Sequence, residues 1–146
     1  RCLVGSEMCI RDRYCLMDVD DFKRINDTRG HAYGDIALMK IAKILTESVP
    51  EGTITARYGG DEFCMFLPGM DREEQLEPIL KEILAHVKKE EYGGMQLSLS
   101  VGVAFYPKHR TVDKNSIGKY ADVALYKAKE SGKDSYCFYC DEMGEF

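Results

Sequence analysis

The residues best suited to chemistry in this chain are two adjacent carboxylates, Asp61 and Glu62, within the segment RYGGDEF. The preceding TITAR is β-branched and alternating, and the following FCMFL is apolar, which predicts two strands joined by a tight loop. Gly59 and Gly60 carry no Cβ, so a ligand can approach the backbone closely there. Taken alone, these four residues favour an ordinary solvated hairpin tip.

A second acidic element favours a functional site over a simple turn. The segment YCLMDV, residues 14–19, is typical of a buried strand, and Asp18, Asp20 and Asp21 lie at its C-terminal end. If Asp18 lies beside the hairpin, each pair of carboxylates about 4 Å apart costs roughly 1 kcal/mol in water and about 4 kcal/mol at an effective dielectric of 20. A cation would relieve this repulsion. Hard oxygen ligands suit Mg²⁺, which completes its coordination with waters and substrate phosphates.

Length and composition indicate one compact domain. The chain has 146 residues, 45% of them hydrophobic, and no apolar run approaches the roughly 20 residues that a membrane span needs. The net charge of −5 argues against nucleic acid as the main partner, because that role calls for a clustered basic face. We expect a soluble, cytoplasmic domain, although the full-length protein could be anchored in a membrane.

The six cysteines are predicted to be thiols, since no secretion signal is recognisable. Cys137 and Cys140 form a single CxxC pair, which could be half of a zinc site. Because no second such pair is present in the sequence, free thiols on a terminal strand are the favoured interpretation.

The remaining pattern alternates helices and strands. Helical spacing predicts one helix after Gly34, one over residues 76–87 and a last one ended by Gly132. A short helical segment is also expected after the turn of residues 21–23. Asp71 and Glu74 resemble a start signal for the third helix, but Pro78 should kink it or move its start to about Glu77. Residues 97–105 and 135–139 are predicted strands. This order indicates an α+β fold with helices covering a mainly antiparallel sheet.

Four sequence blocks, in order, resemble the GGDEF family of diguanylate cyclases, which condense two GTP molecules into cyclic di-GMP. The blocks are DVDDFKRINDTRGHAYGD (18–35), RYGGDEF (57–63), SLSVGVA (98–104) and YADVALYKAKESGKD (120–134). The resemblance implies the palm-like sheet of class III nucleotide cyclases, in which the first strand lies against the hairpin.

The resemblance also implies a metal site. Asp18, the backbone carbonyl of Val19, and the hairpin carboxylates Asp61 and Glu62 would hold Mg²⁺, or alternatively Mn²⁺, on the triphosphate. Asp61 and Glu62 are the predicted catalytic residues, because one of them would instead deprotonate the attacking 3′-hydroxyl. The division of these roles stays open, with Glu62 favoured as a ligand and Asp61 as a ligand or base.

The predicted phosphate-binding residues are Asp21, Phe22 and Lys23, whose backbone N–H groups would cradle the terminal phosphates as a helix start does. Lys129 and Lys133, four residues apart, would reach the same phosphates. The family usually has Arg where Lys133 stands, and the loss of the bidentate fork would weaken binding. The alternative is a solvated cationic helix end, which is favourable for the helix dipole.

Asn26 and Asp35 are predicted to read the base, with Gly59 and Gly60 also near the substrate. A carboxylate accepts two parallel hydrogen bonds from the ring N–H and exocyclic amine of guanine, so GTP is preferred to ATP. Without the resemblance, Asn26 and Asp35 would be ordinary turn and cap residues. His31 is predicted to be a structural hydrogen-bonding residue.

The first thirteen residues, RCLVGSEMCIRDR, fit neither the pattern nor the family. Part of this segment resembles a translated sequencing adapter, so we predict that residues 1–13 are not native. We expect residues 14–146 to be a GGDEF domain that is truncated at its N-terminus and lacks its first helix.

The resemblance implies a partner as well as a substrate. Each domain of the family binds one GTP, and two domains must face each other for catalysis, so a second GGDEF domain is expected as the homodimer partner. A sensory or regulatory domain is expected in the full-length protein. The alternative function is a catalytically weak GTP-binding regulatory module.

Overall fold

The computed structural model describes residues 12–70, 72–105 and 115–143. In chain order its elements are β1 (Arg13–Val19), α1 (Phe22–Arg29), α2 (His31–Glu47), β2 (Ile54–Arg57), β3 (Glu62–Leu67), α3 (Glu73–Lys89), β4 (Leu99–Phe105), α4 (Asn115–Glu130), β5 (Ser135–Phe138) and a short 3₁₀ helix (Asp141–Met143). The predicted order of helices and strands is confirmed.

The five strands form one sheet in the order β2-β3-β1-β4-β5. β1 is the central strand and pairs antiparallel with both β3 and β4. β2 pairs antiparallel with β3, whereas β4 and β5 are parallel. The prediction of a mainly antiparallel α+β fold is therefore correct. The hairpin of β2 and β3 lies directly beside β1.

Alternate residues of β1 enter two hydrophobic cores on opposite faces of the sheet. Met17 packs into the larger core, under α1, α2 and α3, and Leu16 packs into the smaller core, under α4. A Cβ at Gly102 of β4 would lie 2.2 Å from the Ala121 carbonyl oxygen, so only glycine lets α4 lie this close to the sheet.

Helix α3 differs from both predicted starts. It begins at Glu73 and continues through Pro78, so the start near Glu77 is wrong. At the helix start, the Arg72 N–H donates to Gln75 Oε1 at 3.1 Å; Asp71, part of the predicted signal, lies outside the described residues. Pro78 removes one hydrogen-bond donor, but the helix persists because it fully buries an apolar face, namely Leu76, Leu80, Ile83 and Val87.

Other boundaries shift by one to three residues; β4, for example, begins at Leu99 rather than at residue 97, and β5 ends at Phe138 rather than at residue 139. α2 begins at His31, ahead of Gly34, and β1 begins at Arg13, the last residue of the segment predicted to be non-native. Asp12 is also buried, and its Oδ1 accepts a hydrogen bond from the Gly69 N–H at 3.3 Å. The origin of residues 1–13 stays a prediction. In the part of the chain that the structure describes, no helix is both long and apolar enough to cross a membrane.

Candidate active site

The carboxylates of the hairpin and of β1 meet at one end of the sheet. Asp18 on β1 is the register partner of Glu62 on β3. The N–H of Val19 donates to the backbone carbonyl of Asp61 at 3.1 Å. The structure thus brings Asp18 beside the hairpin, as the sequence analysis expected.

The hairpin tip is braced by Arg57, a residue that the sequence analysis did not single out. Its Nε lies 3.1 Å from the carbonyl oxygens of both Gly59 and Gly60, and its Nη2 donates to Gly60 at 2.6 Å. The Tyr58 N–H donates to the Glu62 carbonyl at 2.7 Å. Because Arg57 holds two successive carbonyls, it fixes the loop that carries Asp61 and Glu62.

The carboxylate of Asp18 is in an environment that only partly favours its charged form. Its Oδ2 accepts a hydrogen bond from the Lys129 ammonium, whereas its Oδ1 is buried and has no hydrogen-bond partner among the described residues. Burial raises the pKa of Asp18, the nearby Asp61 carboxylate raises it further, and Lys129 lowers it. The charged carboxylate is therefore only partly compensated.

This arrangement fits a hard divalent cation. Within the described ranges there is no cluster of three or more metal-ligating side chains. The Glu62 carboxylate lies near Gly59, with its Oε2 3.7 Å from the position that a Cβ on Gly59 would occupy. Asp18 and Asp61 are nevertheless adjacent, and the unpartnered Asp18 Oδ1 is a suitable ligand atom. Mg²⁺ is commonly bound through one or two carboxylates plus waters and phosphates, so this donor set suffices.

The predicted phosphate-binding residues Asp21, Phe22 and Lys23 form the start of α1, and Lys133 contacts it. Asp21, with φ of 55°, precedes that helix, and its Oδ1 accepts a hydrogen bond from Lys133 Nζ at 2.9 Å. This contact lowers the pKa of Asp21 and raises that of Lys133. Both lysines predicted to reach the phosphates, Lys129 and Lys133, are thus paired with carboxylates at the C-terminal end of β1.

A groove with a volume of about 400 Å³ runs from α1 and α2 to the hairpin. Asn26 and Asp35, both predicted to read the base, lie in this groove, and Gly60 and Asp61 border it at the hairpin. The Oδ1 of Asn26 is buried without a hydrogen-bond partner among the described residues. The groove therefore joins the predicted base-reading residues to the acidic hairpin; their roles stay a prediction.

Gly34 makes the position of Asn26 possible. A Cβ at Gly34 would lie 2.0 Å from Asn26 Oδ1 and 3.0 Å from the ring of Phe22. Any larger residue on α2 would displace these two side chains of α1. The groove thus depends on a glycine one helix away.

His31 also lines the groove, although the sequence analysis expected a structural role for it. It is the first residue of α2, and Asp35 follows four residues later. Residues at this spacing share one helix face, so the segment HAYGD contains a signal that could have identified His31.

Asp20 and the CxxC pair are two further groups of interest in the sequence. Asp20, which the sequence places with Asp18 and Asp21, is buried and accepts hydrogen bonds from Ser98 and Ser100. Cys137 and Cys140 are free thiols, and no metal-ligating cluster forms around them in the described part of the chain.

Comparison with known proteins gives a consistent result. The family model described as "Diguanylate cyclase, GGDEF domain" matches residues 13–135. The chain is 45% identical over 121 residues to the probable diguanylate cyclase DgcI of Escherichia coli (strain K12). The aligned region covers 82% of this chain and 26% of DgcI. It is 33% identical over 132 residues to the cyclic di-GMP phosphodiesterase PdeR of the same organism. That aligned region covers 88% of this chain and 20% of PdeR.

A solved structure agrees with these relatives. The active GGEEF domain of a diguanylate cyclase from Vibrio cholerae superposes with a TM-score of 0.80 at 29% identity, over 89% of this chain and 84% of that chain. This family generally uses a divalent metal ion. The chain spans about a quarter of the length of DgcI. From the family match and the shared fold, the chain belongs to the GGDEF domain family of diguanylate cyclases.

Proposed function

We propose that this chain is the catalytic domain of a diguanylate cyclase, which converts two GTP molecules into cyclic di-GMP and two pyrophosphates. The observation that carries the proposal is the single groove that joins Asn26 and Asp35 to Asp61, beside the Asp18 and Glu62 pair. The names of the relatives DgcI and the Vibrio cholerae cyclase support the same activity.

In each of two equivalent steps, the 3′-hydroxyl oxygen of one GTP bonds to the α-phosphorus of the other, and the bond to pyrophosphate breaks. Asp61 or Glu62 accepts the hydroxyl proton. Lys129 leaves Asp18 and Lys133 leaves Asp21 to bind the triphosphate, whose charge exceeds that of one carboxylate. Asp35 accepts hydrogen bonds from the guanine edge, and Asn26 contacts the same base.

The metal ion is proposed to be Mg²⁺, which would be held by Asp18, the Val19 carbonyl and the hairpin carboxylates Asp61 and Glu62, except for the one that acts as the base. When bound, it would orient the phosphates and neutralise developing negative charge. Its two positive charges would also offset the repulsion between Asp18 and Asp61, which the structure leaves only partly compensated.

Catalysis is proposed to need a homodimer, because each groove holds one GTP and the reaction joins two. Holding two nucleotides in line contributes roughly 7 to 11 kcal/mol to lowering the barrier. The full-length protein is proposed to act in the cytoplasm and to carry a sensory or regulatory domain that controls this encounter.

A regulatory GTP-binding module is the second candidate, because the relative PdeR is named a phosphodiesterase although this chain matches it over 132 residues. Enforced dimerisation discriminates between the two. The domain would be fused to a dimerising coiled coil and compared with its monomer at equal domain concentration, with GTP and Mg²⁺. A cyclase forms cyclic di-GMP much faster as the dimer. A binding module binds GTP equally well in both forms and yields no product.

A further inference from the structure

Asp20 connects three separate segments of the chain next to the candidate site. Its Oδ1 accepts a hydrogen bond from Ser100 Oγ at 2.6 Å, and its Oδ2 accepts from Ser98 Oγ at 2.7 Å and from the Asp134 N–H at 3.0 Å. Its own N–H donates to the Ser98 carbonyl at 3.0 Å. Asp20 is only 8% exposed, so these protein groups take the place of water around its carboxylate.

The turn that Asp20 holds has an unfavourable backbone. Gly132, Lys133 and Asp134 have successive φ angles of 115°, 63° and 47°. Left-handed backbone is uncommon for residues other than glycine and persists only where surrounding contacts impose it. Here the contacts are the Lys133 N–H to the Ala128 carbonyl at 3.2 Å, the Asp134 N–H to Asp20, and the ion pair of Lys88 with Asp134 at 2.8 Å.

This turn sets the position of Lys133. Asp134, the residue after Lys133, donates its backbone N–H to Asp20. The Nζ of Lys133 donates to Asp21, the residue after Asp20. Asp20 therefore links the two segments that meet at the start of α1, namely the 132–134 turn and its own segment, which contains Asp21. We infer that Asp20 is a positioning residue, which holds Lys133 at the phosphate-binding end of the site through the 132–134 turn and touches neither substrate nor metal.

This inference rests on the proposed function, since it needs Lys133 to bind the triphosphate. It also predicts that geometry matters more than charge at Asp20. An Asn side chain of the same shape would still accept from the Asp134 N–H through Oδ1, and its amide could donate to Ser100, because a hydroxyl can accept as well as donate. Asp20→Asn should therefore preserve the turn, whereas Asp20→Ala should release it.

The test measures the Kd of 3′-deoxy-GTP with Mg²⁺, since this nucleotide lacks the attacking hydroxyl and binds without turnover. Lys133→Ala should raise Kd about tenfold, as expected for loss of one charge-assisted contact. Asp20→Ala should raise it roughly fivefold in the normal chain and by less than about twofold in the Lys133→Ala background, because groups that act through one another are not additive. Asp20→Asn should stay within about twofold of the unaltered protein.

Ser100→Ala is the matched control for stability. It removes one hydrogen bond to the Asp20 carboxylate but leaves the Asp134 contact in place, so it should lower Tm without raising Kd. If Asp20→Ala does not fold, Asp20→Ser replaces it in the same cycle, since its side chain is one bond shorter and withdraws from the Asp134 N–H.

The outcomes separate this inference from the proposed function. Unchanged Kd in Lys133→Ala would remove Lys133 from the phosphate site and overturn the inference, while the proposed cyclase activity would stand. Failure of the unaltered protein to bind 3′-deoxy-GTP with Mg²⁺ would contradict the proposed function as well. A raised Kd in Lys133→Ala with an unchanged Kd in Asp20→Ala would overturn the inference alone. Additive effects of the two substitutions, or an equal rise in Kd for Ser100→Ala, would also overturn it, because either result assigns to Asp20 only a general contribution to stability.

Discussion

Asp18 and Glu62 are register partners on the adjacent antiparallel strands β1 and β3, next to the hydrogen bond between the Val19 N–H and the Asp61 carbonyl. A slip of one residue between these strands would turn Glu62 to the opposite face of the sheet. The buried residues that alternate along β3, Phe63, Met65 and Leu67, prevent such a slip. The position of the acidic site is thus fixed by the hydrophobic core.

Substitutions at Asp61 test the hairpin carboxylate directly. Asp61→Asn keeps the shape but removes the charge, so we expect cyclic di-GMP formation by the dimerised domain to fall at least about a hundredfold, as for loss of a general base. Asp61→Glu is the matched control and should retain activity, since the Vibrio cholerae relative is described as an active GGEEF domain. Equal activity of Asp61→Asn and Asp61→Glu would show that the carboxylate is not required.

Asp18→Asn should stabilise the fold at neutral pH in the presence of a chelator. Burial raises the pKa of Asp18, so the folded state binds this proton more readily than the unfolded chain, and the stability of the unaltered protein falls as pH rises between the two pKa values. The gain should therefore disappear as pH falls to about 4, near the unfolded pKa.

Urea denaturation at several pH values measures this difference. Asp122→Asn, which alters an exposed carboxylate on α4, is the control and should change stability little at any pH. A loss of stability in Asp18→Asn at neutral pH would mean that the ion pair with Lys129 outweighs the burial of the charge.

Asp35 should discriminate GTP from inosine triphosphate, which lacks the exocyclic amine of guanine. The unaltered protein should bind GTP about tenfold or more tightly than inosine triphosphate, because a hydrogen bond to a charged group contributes about 1.5–3 kcal/mol. In Asp35→Asn this preference should shrink to about twofold, since an uncharged acceptor gives a weaker bond. Calorimetric titration with both nucleotides measures it, and an unchanged preference in Asp35→Asn would place base recognition elsewhere.

Gly34→Ala should weaken nucleotide binding without unfolding the protein. The added methyl group would lie 2.0 Å from Asn26 Oδ1, the free end of a side chain, which must move out of its place in the groove. We expect the Kd for GTP to rise roughly tenfold, as for loss of one buried hydrogen-bonding partner. Fluorescence titration with a labelled GTP measures this. A Kd equal to that of the unaltered protein would show that Asn26 does not contact the base.

Replacement by alanine should change the free energy of unfolding in opposite directions at Gly102 on β4 and Gly118 on α4. Gly102→Ala forces a methyl group to within 2.2 Å of the Ala121 carbonyl, a backbone atom that cannot rotate away, so we expect a loss of more than about 3 kcal/mol in the free energy of unfolding. Gly118→Ala on α4 meets nothing within 4 Å and should gain about 0.5–1 kcal/mol. Thermal unfolding of both variants checks this. A stable Gly102→Ala would contradict the close packing of α4 on β4.

The element order was predictable because it depends on local patterns: alternation in the strands, helical spacing, and the glycine-rich tip between Arg57 and Asp61. The meeting of β1 with the hairpin was predictable only from the family resemblance, because no local pattern indicates which strands pair. Other features depend on contacts distant in sequence. The helix through Pro78 exists because its apolar face is buried in the core. The pairing of Lys129 with Asp18 joins residues 111 positions apart, and no local pattern in the sequence indicates it.

The decisive measurement is whether the dimerised domain makes cyclic di-GMP from GTP and Mg²⁺ and whether the hairpin is needed for it. Product identified by mass spectrometry should form with the unaltered protein and should be lost in Glu62→Gln, while both proteins still unfold cooperatively at similar temperatures. Absence of product from the folded, GTP-bound, dimerised domain would contradict the cyclase assignment. Equal product from Glu62→Gln would contradict the site.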